Sequence, residues 1–569
     1  MKLTSHVEML GGVPTLFVNN KPCYEPAYMT YLPEKARFDS FCKIGVHLYS
    51  TCVYFGSGTI NPRTNLPIPM HDGIFEDPNK PDFTIADEVI AQIIREDPQA
   101  MIFPRVSIAP PPWWEKSHPE ELLDNFRNPR FPDLRVCFAS KLWWEYTAEC
   151  LKTFCDHYEN SPFQDHLVGY QLSCGATQEW FAFDDNGGFG LRMREAFEAW
   201  QGEDKEDESA MYRFASEVTA DTIAFMAKKV KEYTNNRVVV GAFYGYTLEP
   251  PAKGFTHCGV SKLLQCKDLD FLCSPMSYME SRRPGIDHAN MTLLDSILLH
   301  GKLYFTECDE RTFISKYPGE SGVPVQEGTY REALWLGPPA PIGRHVLRND
   351  FARCLTHGTN FWWFDMWGGW YEYPSYMQDM QEEIAIMEQS AKDENRGNIA
   401  EVAVLMDEKS LCYLEDKSTI PSDTRIPLGS AGAPYAMYEM ADYEAVKDKY
   451  SVFIVIEPYE TKRAKGVKAE ILAEGKKLLV VSQPKATVDM FYDFYRESGV
   501  HLYCHDKKVV HVNENYISVH NDEKAGEVIL YLPRARKAIP MFEPGEEVMG
   551  DRIPLYLEAF ETRMFRLED

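Results

Sequence analysis

Short apolar runs alternate with amphipathic stretches through most of the chain, and the alternation changes character twice. In the first part, eight runs rich in Val, Ile, Leu and Phe predict strands at residues 26–31, 47–55, 101–108, 167–172, 238–244, 269–275, 303–307 and 360–364. Between them, helical periodicity marks residues 141–158, 210–233, 288–300, 344–357 and 377–389. In the first of these, Leu142, Trp143, Tyr146, Cys150, Phe154 and Tyr158 recur at helical spacing and share one face. Continuous apolar strands separated by helices are the mark of a parallel sheet covered on its faces. Eight β/α units fit a (β/α)8 TIM barrel with long loops, since about 250 residues is usual for that fold and insertions extend it. A doubly wound open sheet is the other arrangement, but it has no need of eight strands. Ahead of the barrel, Val7-Glu8-Met9-Leu10 and Thr15-Leu16-Phe17-Val18 flank Gly11-Gly12 and predict a β-hairpin, because glycine accepts the positive φ of a tight turn.

The pattern restarts near Asn395-Arg396-Gly397-Asn398, which reads as a linker. Strands at 402–406, 452–456 and 478–482 and a helix at 464–474 predict a smaller α/β unit. Its first strand runs into Asp407-Glu408-Lys409 and not into a glycine-rich loop, so phosphate binding has no support there. From about residue 502 only strands remain, at 509–512, 516–520, 527–531, 554–557 and 561–567, which predicts a small antiparallel β domain. The expected division is 1–394, 395–501 and 502–569, with no internal repeat.

Charge narrows the partners. Against 59 Lys and Arg stand 86 Asp and Glu, a net charge of -27. Such a surface repels phosphate backbones and anionic lipid, which excludes nucleic acid and membrane surfaces and leaves a neutral or cationic small substrate. The 14 cysteines include no CxxC pair and are expected to be buried reduced thiols. His71, His118 and His166 stand alone without ligand spacing, so no metal and no cofactor is assigned. No apolar run suits a signal peptide, and none approaches the ~18–20 residues that cross a bilayer, so the expected location is cytoplasmic.

Candidate chemistry sits at strand ends, where (β/α)8 barrels build their active sites. The fourth strand leads through Ser173-Cys174-Gly175 to Gln178-Glu179-Trp180-Phe181, and the seventh ends in Glu307-Cys308-Asp309-Glu310-Arg311-Thr312. Either glutamate alone reads as an ordinary loop carboxylate. Together, Glu179 and Glu307 match glycosidic bond cleavage, in which one carboxyl protonates the leaving oxygen and another acts at the anomeric carbon, about 5–5.5 Å away when configuration is retained. Asp309 shares the face of Glu307 at two residues' distance, so it is either a rival nucleophile or the partner of Arg311. Arg105, on the third strand, either holds Glu307 ionised or forms a structural ion pair. Aromatics make up 13% of the chain, and Trp362, Trp363, Trp367 and Trp370 crowd into nine residues. Trp113, Trp114, Trp180, Trp363 and Trp367 are the candidates to stack on a sugar, two or three of them in contact with it and the others packing loops.

On Ala109-Pro110-Pro111-Pro112-Trp113-Trp114, on Gly169-Tyr170-Gln171 with Gln178-Glu179-Trp180, and on Glu307 to Thr312, the chain resembles the β-galactosidases of glycoside hydrolase family 42, in the large clan A. The resemblance implies that Glu179 is the acid/base and Glu307 the nucleophile. It also implies that 395–501 is a flavodoxin-like trimerisation domain, making the protein a homo-oligomer, a trimer. Clan members place a tyrosine after strand six that donates to the nucleophile; Tyr278 is that residue or else a core aromatic. The clan usually carries Asn before the acid/base, hydrogen-bonding the sugar 2-OH, whereas this chain has Gln178. That departure touches the identity of the sugar more than the mechanism. The function expected is a retaining exo-β-glycosidase, β-galactosidase-like, that hydrolyses the terminal β-linked sugar of an oligosaccharide by double displacement. A β-mannosidase, a β-glucosidase or a transglycosidase would use the same carboxylates. A non-catalytic carbohydrate-binding protein ranks last, because both carboxylates are present.

Overall fold

A computed structural model describes residues 2–56, 59–60, 67–68, 71–124, 135–175, 178–181, 188–202, 204–249, 255, 257–278, 282–315, 337–413 and 420–569. Eight parallel strands close into a barrel: Ala27–Thr30, Leu48–Tyr54, the pair Met101–Ile102 and Arg105–Ser107, Gly169–Ser173, Val239–Phe243, Phe271–Pro275, Leu303–Cys308 and Asn360–Phe364. The eighth pairs in parallel with the first, so the sheet has no free edge. The third strand, expected as one run, is split at Phe103-Pro104, because proline has no N–H to give to the ladder. The helix expected at 288–300 is reduced to Leu294–Leu299. Ahead of it, His288 is tied to Asp350 at 2.7 Å and Asn290 bridges to Met276, and both contacts hold the backbone out of the helix.

The barrel interior is aromatic. Phe103 stacks on Phe305 at 5.3 Å, and Phe271 and Trp362 close on the same pair at 5.4 and 5.6 Å from Phe305. Gly241 makes room for this layer, since a Cβ there would lie 2.2 Å from the Phe271 ring. The N-terminal segment forms three antiparallel strands, Ser5–Leu10, Val13–Val18 and Lys21–Cys23. Ser5 accepts from Val239 N at 2.9 Å, ahead of the fourth and fifth strands, so this sheet lies at the barrel's N-terminal end.

Two further sheets follow. Val402–Met406, Ala436–Glu439, Val452–Ile456 and Lys477–Val481 form a parallel sheet in the order second, first, third, fourth. It docks on the barrel through Met437 N, which donates to Asp295 at 2.6 Å, and through Ser296, whose hydroxyl reaches Asp442 at 2.6 Å. The last sheet is antiparallel, with Val509–Val512, Tyr516–His520, Gly526–Pro540, Val548–Leu557 and Thr562–Glu568. Its third strand is far longer than the expected 527–531. All 14 cysteines are free thiols, and among the described residues no helix is long and apolar enough to cross a membrane.

Gly241→Ala should lower the melting temperature, the overpacked ring costing about 1–3 kcal/mol. Adding Phe271→Leu should recover part of that loss, and a pair of additive losses in differential scanning calorimetry would refute the steric account.

Candidate active site

Glu307 lies in the second-last register of strand seven, opposite Pro275 on one side and Trp362 on the other. Its side chain is 2% exposed. Trp362 Nε1 donates to Oε2 at 3.2 Å, and Arg105 Nη2 lies 3.6 Å from the same oxygen. Arg105 is fully buried: Nη1 donates to Tyr31 OH at 3.1 Å, and the guanidinium lies 4.4 Å over Phe243. Its Nε and Nη2 make no hydrogen bond among the described residues. Burial pushes the Glu307 carboxyl up to about 8; Arg105 pulls it down, and the charges of Asp309 and Glu179 push it up. Glu179 and Glu307 are therefore within electrostatic reach of each other.

Glu179 sits on a tight turn after strand four. Gln178 and Trp180, on either side, have φ of +64° and +61°, a region that side-chain-bearing residues enter only when the surroundings hold them there. Trp180 N donates to Cys174 O at 2.8 Å and its indole N–H to Leu172 O at 3.0 Å. His257 lies 2.7 Å from Glu179 O through Nε2, and Tyr246 OH donates to Glu179 Oε1 at 3.0 Å. Gln178 is buried beside Cys52, and its Nε2 has no hydrogen-bond partner among the described residues.

Asp309 follows on the same face and is held differently. Arg282 and Arg311 (the latter at 2.9 Å) pair with it, and Tyr278 OH donates to it at 3.0 Å. Burial works against its charge, and the two guanidinium groups outweigh that, keeping the carboxyl below its ordinary value. Of the two alternatives for Asp309, the structure displays the ion pair with Arg311. Of the two readings of Tyr278, donor to the strand-end glutamate or core aromatic, the first is corrected: its hydroxyl reaches Asp309 and not Glu307.

The tryptophans divide. Trp362 points into the barrel, and the alternation of the strand sends Trp363 outward against Phe41 and Phe361 at 5.7 and 5.2 Å. Trp363 is thus a packing residue, and its neighbour is the one at the site. Trp180 is buried beneath its own turn, edge-on to Phe138, and has no sugar-facing surface. Trp113 donates to Phe75 O at 2.9 Å, and Trp114 stacks on Tyr146 at 5.5 Å; both pin their loop to helix Lys141–Glu159. Trp367 packs beside the site, 5.8 Å from Tyr31, and is itself buried.

Tyr31, Tyr246, His257 and Arg282 escaped the sequence reading, and Trp362 was read only as a member of the tryptophan cluster. Tyr31 and Tyr246 carry a signal, being polar aromatics just past barrel strands. His257 and Arg282 lie in connecting loops, where spacing says nothing about direction. Among the described residues, His288, Glu310 and Asp350 bring possible metal-ligating atoms within 4.8 Å, as do Cys42, His47 and Asp97. In the first group Arg282 stands 3.7 Å from Glu310 and His288 bonds Asp350; in the second His47 bonds Asp97 at 2.8 Å. These contacts already neutralise the ligands, so neither group is assigned a metal.

Several solved structures share this architecture over nearly the whole chain. A β-galactosidase from the psychrophilic Marinomonas ef1 superposes with a TM-score of 0.61 at 10% identity, covering 96% of this chain and 100% of its own. A GH42 β-galactosidase from G. stearothermophilus gives 0.59 at 12%, with 96% and 98% covered. One from Bacillus circulans sp. alkalophilus gives 0.59 at 12%, with 95% and 98% covered. The chain thus has the fold of the family 42 β-galactosidases: a TIM barrel, further sheets, and a C-terminal antiparallel sheet. No family model matches the sequence, and no curated protein matches it.

Because the folded Glu307 carboxyl titrates at about 8 against an ordinary 4.5, the folded state holds an extra proton between those values and loses stability as pH rises through them. Glu307→Gln removes that burden. Its melting temperature should exceed the parent's by about 2 °C or more at pH 8 and by less at pH 5; a gain independent of pH would contradict the assignment of the shift to Glu307.

Proposed function

We propose that this protein is a retaining exo-β-glycosidase, with Glu307 the nucleophile and Glu179 the acid/base. The observation that carries the reading is the placement of two glutamates in one barrel, Glu179 just past strand four and Glu307 at the end of strand seven, each within electrostatic reach of the other yet held by different partners. In the first step the Glu307 carboxylate attacks the anomeric carbon, and Glu179 gives its proton to the departing oxygen. In the second, Glu179 takes a proton from water, which displaces the glycosyl group from Glu307. Asp309 is committed to two arginines and a tyrosine, which leaves Glu307 as the carboxylate free to bond carbon. Arg105 and Trp362 bed its far side and favour its ionised form. The side-chain amide of Gln178 supplies a donor for a ring hydroxyl next to the acid/base.

The proteins of like fold named above are β-galactosidases, and that supports a terminal β-galactosyl group as the first sugar to try. In the same reading, 395–501 forms the trimerisation domain and 502–569 the C-terminal β domain.

Incubation with dinitrophenyl 2-deoxy-2-fluoro-β-glycosides (galacto, gluco and manno) should leave one of these sugars bound to the peptide carrying Glu307, read by peptide mass mapping. A label on Asp309 would keep the double displacement and reverse the residue assignment; no label from any sugar on folded protein would count against retention. The acid limb of kcat/KM should lie above 4.5 and extend toward 8, since protonation disarms Glu307. Arg105→Gln removes a cation that favours the ionised form, so it should move that limb to still higher pH, in a profile taken on an activated aryl glycoside.

A further inference from the structure

The strained turn that carries Glu179 is held by a histidine from the loop that follows strand five. His257 is buried and accepts from Tyr246 N at Nδ1, 3.1 Å away, which places its proton on Nε2, where it donates to Glu179 O at 2.7 Å. Burial keeps the ring neutral, with a midpoint lowered to about 3. The ring also stacks between Tyr244 and Phe181, at 4.2 and 4.8 Å. Three residues on, the chain enters the short helix Val260–Leu264. The first turn of that helix is gripped by Glu408, which accepts from Val260 N at 2.6 Å and Ser261 N at 3.1 Å, and also from the Ser261 hydroxyl. Glu408 opens the segment Glu408–Tyr413, directly after the first strand of the second sheet. It is buried, so water offers those amides no ready substitute.

We propose that Glu408 is a positioning residue for the acid/base, and that the α/β unit beyond residue 395 completes the active site through it. The path runs from Glu408 to the start of helix Val260–Leu264, to His257, to the Glu179 carbonyl between two residues of positive φ. If the clamp is released, the segment that aims His257 loosens and the turn relaxes toward ordinary backbone geometry. Glu179 then loses its alignment on the departing oxygen, while Glu307, held by Arg105 and Trp362, keeps its own. The inference rests on the glycosidase reading of Glu179.

Leaving-group dependence separates this role from a general loss of structure. A dinitrophenolate departs without a proton, whereas an alkyl or 4-methylphenyl oxygen needs Glu179 to supply one. On the sugar the parent enzyme cleaves fastest, Glu408→Ala should lose about 10-fold in kcat/KM with the 4-methylphenyl glycoside and less than about 2-fold with the dinitrophenyl one. Glu408→Gln keeps an accepting oxygen and should lose less, with the same selectivity; it carries the test if Glu408→Ala does not fold. His257→Gln, which retains an N–H donor, should fall between the parent and His257→Ala. Equal losses on both substrates, or no loss on either, would overturn the proposal. Glu179→Gln is the reference: if it lacks leaving-group selectivity, the acid/base assignment fails and takes this inference with it. If Glu179→Gln is selective and Glu408→Gln is not, only the inference fails.

Discussion

The arrangement turns on one buried pair, Glu307 with Arg105, set on an aromatic floor at the mouth of a closed barrel. Neither side chain reaches water, and their 3.6 Å separation gives attraction without the full benefit of a hydrogen bond. Taking both groups out of water is costly, and the attraction returns only part of it. The raised titration of Glu307 expresses that imbalance. A barrel tolerates it because the ring of hydrogen-bonded strands is secured elsewhere: by closure of the eighth strand on the first, by the interlocked Phe103, Phe271, Phe305 and Trp362, and by the N-terminal sheet at the opposite end.

Around that pair, charge is kept apart by pairing. Asp309, only two residues on, would burden Glu307 further if its own charge were free. Arg282 absorbs it at one oxygen, and Arg311 and Tyr278 share the other. The buried Glu310 is answered by His288, which against the effect of burial is pushed up to about 9 by Asp350 and Glu310. Cations thus balance carboxylates within a few ångströms, so a strongly acidic chain can carry several buried acids near one site.

The two candidate catalytic carboxyls are built by opposite means. Glu307 ends a regular strand and inherits its aim from the sheet register. Glu179 rides on a turn whose flanking residues both have positive φ, and nothing in the local sequence favours that shape. It persists because the Trp180 indole, the Cys174 carbonyl and His257 over-determine it. A strand-end carboxylate is robust, whereas a turn-borne one depends on distant parts of the chain, here including the second sheet.

Much of this was legible in the residue order. The apolar runs at 360–364 and 238–244 became the strands Asn360–Phe364 and Val239–Phe243, since a strand buried on both faces reads as a nearly continuous apolar run. The same logic put Glu179 and Glu307 at strand ends. The short strand Ala436–Glu439 was not legible, because its four residues carry no periodicity to distinguish them from a loop. The tryptophans were legible as a cluster but not as a set of directions: Trp362 and Trp363 are adjacent and face opposite ways, and only the closed barrel decides which way is inward. The partners of each carboxyl lay further beyond reach. Arg282, His257 and Glu408 come from loops and from another sheet, and hydrogen bonds between residues far apart in sequence leave no spacing to read. The chain by itself determined the barrel and the two acids; tertiary structure decided which groups hold each acid, because burial and direction belong to the packed molecule.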